Sequence, residues 1–181
     1  MKITSKNLVI DADIARASGG SGATHPSAMA SRNFLQAVLT ICHKVVMTAT
    51  IQEEWNNHQS SFARKWRRSM VAKRKLVVFA PSQREDIRQG IGQQGVSDSK
   101  KKAMLKDCHL IEAALVTNFS IISLDDTARD LFCTTTDSFT DLRAVLWVNP
   151  VHDHEKVIGW LRDGAPSEGV RWQQWQLRNH V

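Results

Sequence analysis

Acidic side chains are the residues of this sequence with the clearest capacity for chemistry. Four of them follow short apolar runs, where buried strands would end: Asp11, Asp13, Asp125 and Asp126. Carboxylates act as general acids and bases and as ligands for hard divalent cations. The sequence has no G-x-S-x-G elbow, and its spacing singles out no Cys-His pair. We therefore interpret these aspartates as metal-binding or acid–base residues.

Asp107 is a further candidate because of its place on a helical pattern. With about 100° between successive residues, Asp107 falls on the same face as Ile111 and other apolar residues. The same projection puts Lys106, His109 and Glu112 on the face expected to meet solvent. A carboxylate within an apolar face is costly unless a cation or strong hydrogen bonds compensate it. We expect Asp107 to have such a partner.

Glu54 is the acid expected to reach a site from the helix that Thr48 caps. That helix has an apolar stripe formed by Ile51, Trp55, His58 and Phe62. Glu54 lies at the edge of this stripe, whereas Glu53 points almost opposite to it and is interpreted as a solvated residue. Only Glu54 is therefore placed to enter a site.

The elements that must position these acids are predicted from five apolar runs separated by helical segments. The runs are residues 7–10, 45–47, 76–79, 120–124 and 145–148. This alternation predicts an α/β fold, a three-layer α/β/α sandwich around a central parallel sheet of four or five strands. A helix is predicted at residues 26–43. Residues 89–102, rich in Gly, Ser and Gln, are expected to form a loose connection that closes over a substrate.

The expected positions of these acids on such a sheet predict a binding site for a divalent cation. Ligands of open parallel sheets bind at the carboxyl ends of the strands, where these carboxylates would meet. Four or more carboxylates at one edge repel one another unless a cation binds, and hard oxygen ligands suit Mg²⁺ or Mn²⁺. Such a cation activates water and neutralises charge developing on a phosphodiester.

Three segments resemble the acidic motifs of PIN-domain nucleases. They are V-I-D-A-D-I at residues 9–14, K-D-C-H-L-I-E-A-A-L at residues 106–115 and I-I-S-L-D-D at residues 121–126. Glu54 stands where that family has a lone acid on a helix. The resemblance covers residues 7–148 in element order and implies an Mg²⁺- or Mn²⁺-dependent endoribonuclease, of a family that includes toxins held by an antitoxin. RNA, an antitoxin protein and a second copy of the chain are the partners that it suggests.

The resemblance also implies the roles of particular residues. The metal-binding and catalytic quartet would be Asp11, Glu54, Asp107 and Asp125, and Asp13 and Asp126 are counted as further ligands. Ser123 would occupy the small hydroxyl position that supports the last acid. Asp13 departs from the family, which commonly has Asn there, and the glycine loop at residues 19–22 and the tail after Pro150 look longer than in compact toxins.

A basic run at residues 64–75 is the candidate surface for the RNA backbone. Its basic residues are Arg64, Lys65, Arg67, Arg68, Lys73, Arg74 and Lys75. Unpaired Lys and Arg side chains displace counterions from nucleic acid, and phosphate contacts position RNA without specifying bases. The alternative interpretation is an ordinary solvated helix face.

The length, composition and net charge limit the classes of protein to which this chain can belong. The chain has 181 residues, 42% of them hydrophobic, and a formal net charge of +6. This suits one globular domain with a polyanionic partner. We predict a nuclease domain at residues 1–149 and, packed on it, a helical extension at residues 150–181 that contains Trp172 and Trp175. No apolar run is long enough for a membrane span and no signal peptide is evident, so a cytoplasmic protein without a membrane partner is predicted.

Two other functions stay open at this stage. The D-A-D and D-D patterns after strands also resemble haloacid dehalogenase phosphatases, in which Asp11 would be the nucleophile and Asp13 the acid–base residue. That hypothesis gives Asp107 and Glu54 no role. The other alternative is a catalytically inactive RNA-binding protein with a PIN-like fold, although all four acidic positions are filled here.

Overall fold

A computed structural model describes residues 4–20, 22–135, 139–152 and 154–167. Within these ranges the structure has a single five-stranded sheet in the order β3-β2-β1-β4-β5, in which every pair of neighbours is parallel. The strands are β1 (Asn7–Ile10), β2 (Lys44–Met47), β3 (Leu76–Val78), β4 (Ser120–Ile122) and β5 (Leu146–Val148). The five predicted strand runs are therefore the five strands, and the predicted fold class is confirmed.

Helices cover the sheet and make the molecule a three-layer α/β/α sandwich. They are α1 (Ala12–Ala17), α2 (Pro26–Thr40), α3 (Ala49–His58), α4 (Ser61–Ala72), α5 (Glu85–Gln93), α6 (Asp98–Leu115), α7 (Asp126–Cys133) and α8 (His154–Arg162). A 3-10 helix, Thr140–Ala144, precedes β5. Helix α2 packs against α1, α4 and α8, and α6 packs against α5 and α7. No helix in the described ranges is long and apolar enough to cross a membrane.

The core is continuous and lies on both faces of the sheet. The central strands are almost wholly apolar because parallel strands are covered by helices on both sides. Leu8, Val9 and Ile10 of β1 are fully buried. The edge strand β3 is less covered, and Val78 is 73% exposed.

Polar caps start the helices directly after the strands, and several caps are the predicted site residues. Asp11 is the N-cap of α1 and accepts a hydrogen bond from the backbone of Asp13. Asp125 is the N-cap of α7 and accepts one from the backbone of Ala128. Thr48 caps α3, as predicted. A capping oxygen satisfies an N–H that has no partner within the helix, so each acid is fixed where a strand becomes a helix.

Two stretches differ from the prediction. Residues 89–102 are not a loose connection, because α5 runs through Gln93 and α6 begins at Asp98. Buried Ile87 and Ile91 hold α5 against the core, and this burial outweighs the low helix propensity of its glycines. The predicted helix at residues 26–43 ends at Thr40. The stripe that included Phe62 spans two helices, since α3 ends at His58 and Ser60 caps α4.

The predicted C-terminal extension is described as far as residue 167. Helix α8 packs against α2 and contributes Val157 and Leu161 to the same core. The ring of buried His43, which precedes β2, accepts a hydrogen bond at Nδ1 from the backbone of Lys6 (3.1 Å). Its Nε2 donates to the carbonyl of Leu161 (2.8 Å). Trp172 and Trp175 lie outside the described residues.

Candidate active site

A cleft of about 630 Å³ opens at the carboxyl ends of β1 and β4. All six acids predicted as site residues line it: Asp11, Asp13, Glu54, Asp107, Asp125 and Asp126. They come from the β1–α1 junction, α3, α6 and the β4–α7 junction. Strands β1 and β4 are neighbours and pair Ile10 with Ile122. This register brings the two acidic junctions side by side.

Ser123 is the hydroxyl that joins these junctions. It is buried, and its Oγ lies 2.9 Å from Oδ2 of Asp11 and 2.9 Å from Oδ2 of Asp13. The backbone N–H of Asp125 donates to the same oxygen at 3.0 Å. Because the hydroxyl has one proton, it donates to one carboxylate at a time. Ser123 thus contacts three acids, although only the support of Asp125 was predicted.

Within the described ranges, Asp13 is held by hydrogen bonds through one carboxylate oxygen only. Its Oδ2 accepts from Ser123 and also from the backbone N–H of Leu124 at 2.8 Å, while its Oδ1 is buried and has no hydrogen-bond partner among the described residues. Burial and the neighbouring Asp11 charge raise the pKa of Asp13 to about 7.

Asp11 and Asp107 are also held in surroundings that disfavour their charges. Burial raises the pKa of Asp11, and the nearby Glu54 charge adds to this while the Ser123 hydrogen bond opposes it. Burial, followed by the charge of Asp11, raises the pKa of Asp107 to about 6, and Asp125 contributes in the same direction. A cation near these carboxylates would reverse this trend.

Glu54 differs from the other acids because it has a basic partner. Its Oε2 lies 3.1 Å from Nε2 of His109, whose Nδ1 lies 2.9 Å from the carbonyl of Lys106. The His109 hydrogen bond lowers the pKa of Glu54, against the effect of burial. Burial alone would lower the pKa of His109, but the hydrogen bond and charge of Glu54 outweigh it and raise that pKa. Carbonyl and carboxylate both accept, so this geometry favours a ring with two N–H donors.

Of the three residues expected on the solvent face of α6, Lys106 is exposed, but His109 and Glu112 lie in a packing face. His109 and Glu112 are only 8% and 5% exposed, because α3 and α5 cover them. Arg88 of α5 donates to Glu112 through Nε (2.8 Å) and a terminal nitrogen (2.9 Å), and the backbone of Arg84 also donates (2.9 Å). Three donors compensate the buried charge of Glu112. Glu112 therefore ties α5 to α6.

Asp125 and Asp126 are adjacent but differ in availability. Asp125 is exposed, and the capping bond to Ala128 (2.8 Å) uses one of its oxygens. Asp126 accepts from Arg129 at Oδ1, and from Asn149 (3.1 Å) and His152 at Oδ2. A cation would have to displace these donors from Asp126. The structure therefore favours Asp125 over Asp126 as a candidate metal ligand.

The predicted RNA-binding residues lie outside the cleft lining and divide into two kinds. Arg64, Lys65, Arg68, Lys73 and Arg74 are exposed. Arg67 is partly buried and donates to Oδ1 of Asn56 (2.7 Å). Lys75 donates through Nζ to the carbonyls at the end of α2, namely those of Val38 (2.7 Å), Leu39 (2.9 Å) and Ile41. These bonds give Lys75 a helix-capping role that the sequence interpretation missed.

Three basic side chains of the cleft were not predicted. Arg16 of α1, His58 of α3 and Lys106 of α6 line its wall and are exposed. The available signal was spacing, since Arg16 and His58 lie about one turn beyond Asp13 and Glu54 on their helices, and Lys106 precedes Asp107. The cleft therefore combines an acidic floor with a partly basic wall, an arrangement suited to a phosphate group near a cation.

The carboxylates of the cleft are suitable ligands for a hard divalent cation, although they are not arranged as a complete coordination site. In the described ranges, no group of three or more His, Cys, Asp or Glu side chains is arranged to hold a metal ion. The carboxylates of Asp11, Asp107 and Asp125 nevertheless share one cleft, and the charges of Asp11 and Asp125 both raise the pKa of Asp107. The buried Oδ1 of Asp13 has no hydrogen-bond partner within the described part of the chain. All are oxygen ligands of the kind that Mg²⁺ and Mn²⁺ prefer.

Comparison with protein-family models finds none that matches this chain, and comparison with curated proteins also finds no match.

Proposed function

We propose that this protein is a metal-dependent endoribonuclease that hydrolyses RNA phosphodiester bonds. One observation carries the proposal: acids from four separate parts of the chain, Asp11, Glu54, Asp107 and Asp125, line a single cleft at the carboxyl ends of the central strands. Such a concentration of carboxylates is expected where a divalent cation and a phosphate meet. The resemblance to PIN-domain nucleases in three sequence motifs supports the same function.

Asp11, Asp107 and Asp125 are the residues that would hold Mg²⁺ or Mn²⁺. Bound there, the cation would lower the pKa of a water and neutralise charge on the phosphate. Ser123 fixes the Asp11 carboxylate through its 2.9 Å hydrogen bond. Glu54, restrained by His109, would orient the attacking water or bind a second ion.

The basic side chains around the cleft would hold the phosphates of the substrate. Arg16, His58 and Lys106 line its wall, where no hydrogen bond or ion pair within the described part of the chain engages their side chains. Exposed Arg64, Lys65 and Arg68 on α4 would extend this surface along the RNA backbone. Such contacts fix register and carry no base preference. A cytoplasmic, toxin-like ribonuclease that is held by an antitoxin, or that acts as a homodimer, would be consistent with an acidic cleft bordered by basic side chains.

The decisive experiment is cleavage of an end-labelled single-stranded RNA in Mg²⁺ or Mn²⁺, with EDTA as a control. Asp107→Asn and Glu54→Gln should each lower kcat by about 100-fold or more, since removing one electrostatic group at a reacting centre costs on this order. Glu53→Gln is the matched control for Glu54→Gln, because Glu53 is exposed on the same helix. It should retain full activity.

A generic aryl phosphate assayed alongside separates the alternatives. Turnover that Asp11→Asn abolishes and Asp107→Asn leaves unchanged would replace the nuclease with a phosphatase of the haloacid dehalogenase kind. RNA binding without cleavage in either metal would favour an inactive RNA-binding protein. RNA cleavage that EDTA does not affect would overturn the metal-dependent mechanism.

A further inference from the structure

The geometry points to His109 as a positioning residue that fixes Glu54 in the cleft and sets its distance from Asp107. This inference rests on the proposed function, in which both acids serve the reaction. His109 does not line the cleft and does not touch the substrate site. It acts through Glu54, behind the wall that α3 and α6 form together.

The contacts of His109 use both ring nitrogens. Nδ1 is 2.9 Å from the carbonyl of Lys106, one turn earlier on α6, which fixes the ring on its own helix. Nε2 is 3.1 Å from Oε2 of Glu54 on α3. With only 8% of its surface exposed, the ring cannot adopt many other orientations. His109 is therefore a rigid bridge from α6 to one carboxylate oxygen on α3.

This bridge determines which part of Glu54 faces the cleft. Within the described part of the chain, no side chain other than His109 donates to the Glu54 carboxylate, and that bond uses Oε2. Oε1 is left for a cation or water. A glutamate has three rotatable bonds, so an unrestrained side chain would lose conformational entropy on taking up a catalytic position. Because the hydrogen bond to His109 already restrains the Glu54 side chain in the folded protein, this entropy is lost during folding and not when the side chain takes up its catalytic position.

The same helix carries Asp107 and His109, two residues apart on faces about 160° from each other. Asp107 lines the cleft directly, whereas His109 reaches across to α3. A single rigid helix thus sets the separation of two acids that are 53 positions apart in the sequence. Groups that orient ligating carboxylates typically change metal affinity or activity 10- to 100-fold when removed.

Three variants, two of them amides, separate the positioning role of His109 from its packing role. The amide nitrogen of His109→Gln reaches roughly the place of Nε2 and keeps a donor for Glu54. The shorter His109→Asn places its amide near Nδ1 and keeps only the bond to Lys106. His109→Leu removes both donors and keeps apolar volume. Thermal unfolding in EDTA identifies any variant that is not folded.

The test measures kcat and KM for RNA cleavage. It also measures Mn²⁺ binding, by the electron paramagnetic resonance signal of the Mn²⁺ that stays free. We expect His109→Asn and His109→Leu to lower kcat and Mn²⁺ affinity about 10- to 100-fold, with KM changed less than about threefold. His109→Gln should retain both within about fivefold. In a Glu54→Gln background, His109→Leu should have less than a twofold further effect on kcat, because a residue acting through Glu54 has nothing left to position.

The outcomes distinguish this inference from the proposed function. An active wild type whose folded His109→Leu variant keeps wild-type kcat and Mn²⁺ affinity would overturn the positioning role and leave the nuclease intact. Equal losses in His109→Gln and His109→Leu, or full additivity with Glu54→Gln, would also overturn it, since packing alone would explain them. A wild type that neither binds Mn²⁺ nor cleaves RNA would overturn the proposed function, and the inference would fail with it.

Discussion

The indole Nε1 of Trp55 donates a hydrogen bond to the main-chain carbonyl of Ile10 at 3.0 Å. Trp55 is fully buried and follows Glu54 on α3, while Ile10 is the last residue of β1 and precedes Asp11. One buried hydrogen bond therefore fixes the helix that carries one candidate acid against the strand that ends in another. Trp55 also stacks on Trp66 of α4, with 5.7 Å between ring centroids.

Trp55→Phe should lower the free energy of unfolding by about 1–3 kcal/mol, because it leaves a buried carbonyl with one donor fewer. It should also lower RNA cleavage, since α3 loses its tether beside Asp11. Trp66→Phe is the control, because Trp66 donates to the carbonyl of Leu35, away from the acids. Urea unfolding should show similar losses for both variants, with activity reduced only for Trp55→Phe. Equal activities in the two variants would contradict the tethering role.

Asp13 should make the metal-free protein less stable as the pH rises towards 7. Its pKa is raised from 3.8 to about 7 in the folded state, so between these values the folded chain binds a proton that the unfolded chain does not. Stability then falls with rising pH across this window and levels off above it. Asp13→Asn should remove this component, on the order of 4 kcal/mol over the whole window at about 1.4 kcal/mol per pKa unit, and flatten the dependence of stability on pH.

Urea unfolding in EDTA at intervals from pH 4.5 to 8 measures this effect. Asp98→Asn serves as the control, because the Asp98 side chain is fully exposed. Asp11 and Asp107, whose pKa values are also raised, should leave a residual slope of the same sign in Asp13→Asn. A slope in Asp13→Asn as steep as in the wild type would show that Asp13 is ionised at low pH in the folded protein.

Mn²⁺ or Mg²⁺ should stabilise the protein by binding to the folded state alone. At about 100 times the dissociation constant this linkage is worth about 2.7 kcal/mol, which corresponds to a rise in Tm of roughly 5–10 °C for a chain of this size. The shift should be largely absent in Asp107→Asn, and Ca²⁺ tests selectivity for the smaller ions. Scanning calorimetry in which Asp107→Asn shifts as much as the wild type would exclude Asp107 as a ligand.

The exposed basic residues of α4 and the capping lysine should respond differently to substitution. Arg64→Ala and Arg68→Ala should each reduce the slope of log affinity against log salt by about 0.7 for single-stranded RNA, the loss expected for one phosphate contact. Lys75→Met should leave that slope unchanged and lower the free energy of unfolding, because Lys75 binds the end of α2. Fluorescence anisotropy with a labelled RNA at several salt concentrations provides the measurement. Unchanged slopes in both arginine variants would assign α4 to an ordinary solvated face.

Local patterns were sufficient to predict the sheet and the convergence of the acids. The short apolar run that ends in Asp11 predicts a buried strand followed by a polar junction, and the run before Asp125 has the same form. Parallel strands direct all such junctions to one edge. Asp107 was recognisable because a carboxylate on an apolar helix face contradicts simple amphipathic patterning.

The errors arose where a second element covers the first. His109 and Glu112 were expected in solvent because a helical projection shows the faces of α6 and not what packs on them. The glycines of α5 suggested a loop, but burial of Ile87 and Ile91 stabilises the helix. Lys75 looked like one more charge in a basic run, whereas the fold places its ammonium group at the end of α2.

The sequence by itself determined the parallel α/β architecture and the acids that collect at its carboxyl edge, because strand burial and helix periodicity are local properties of the chain. Only the tertiary structure decided which hydrogen-bond partners each acid has and which acids keep carboxylate oxygens for the cleft. Asp126 is engaged by Arg129, Asn149 and His152, Glu54 is bound to His109, and Asp107 and Asp125 keep oxygens that face the cleft. Asn149, His152 and His109 come from distant parts of the chain and reach these acids only after the elements pack, so no local pattern encodes their contacts, whereas Arg129 lies one turn from Asp126 on α7.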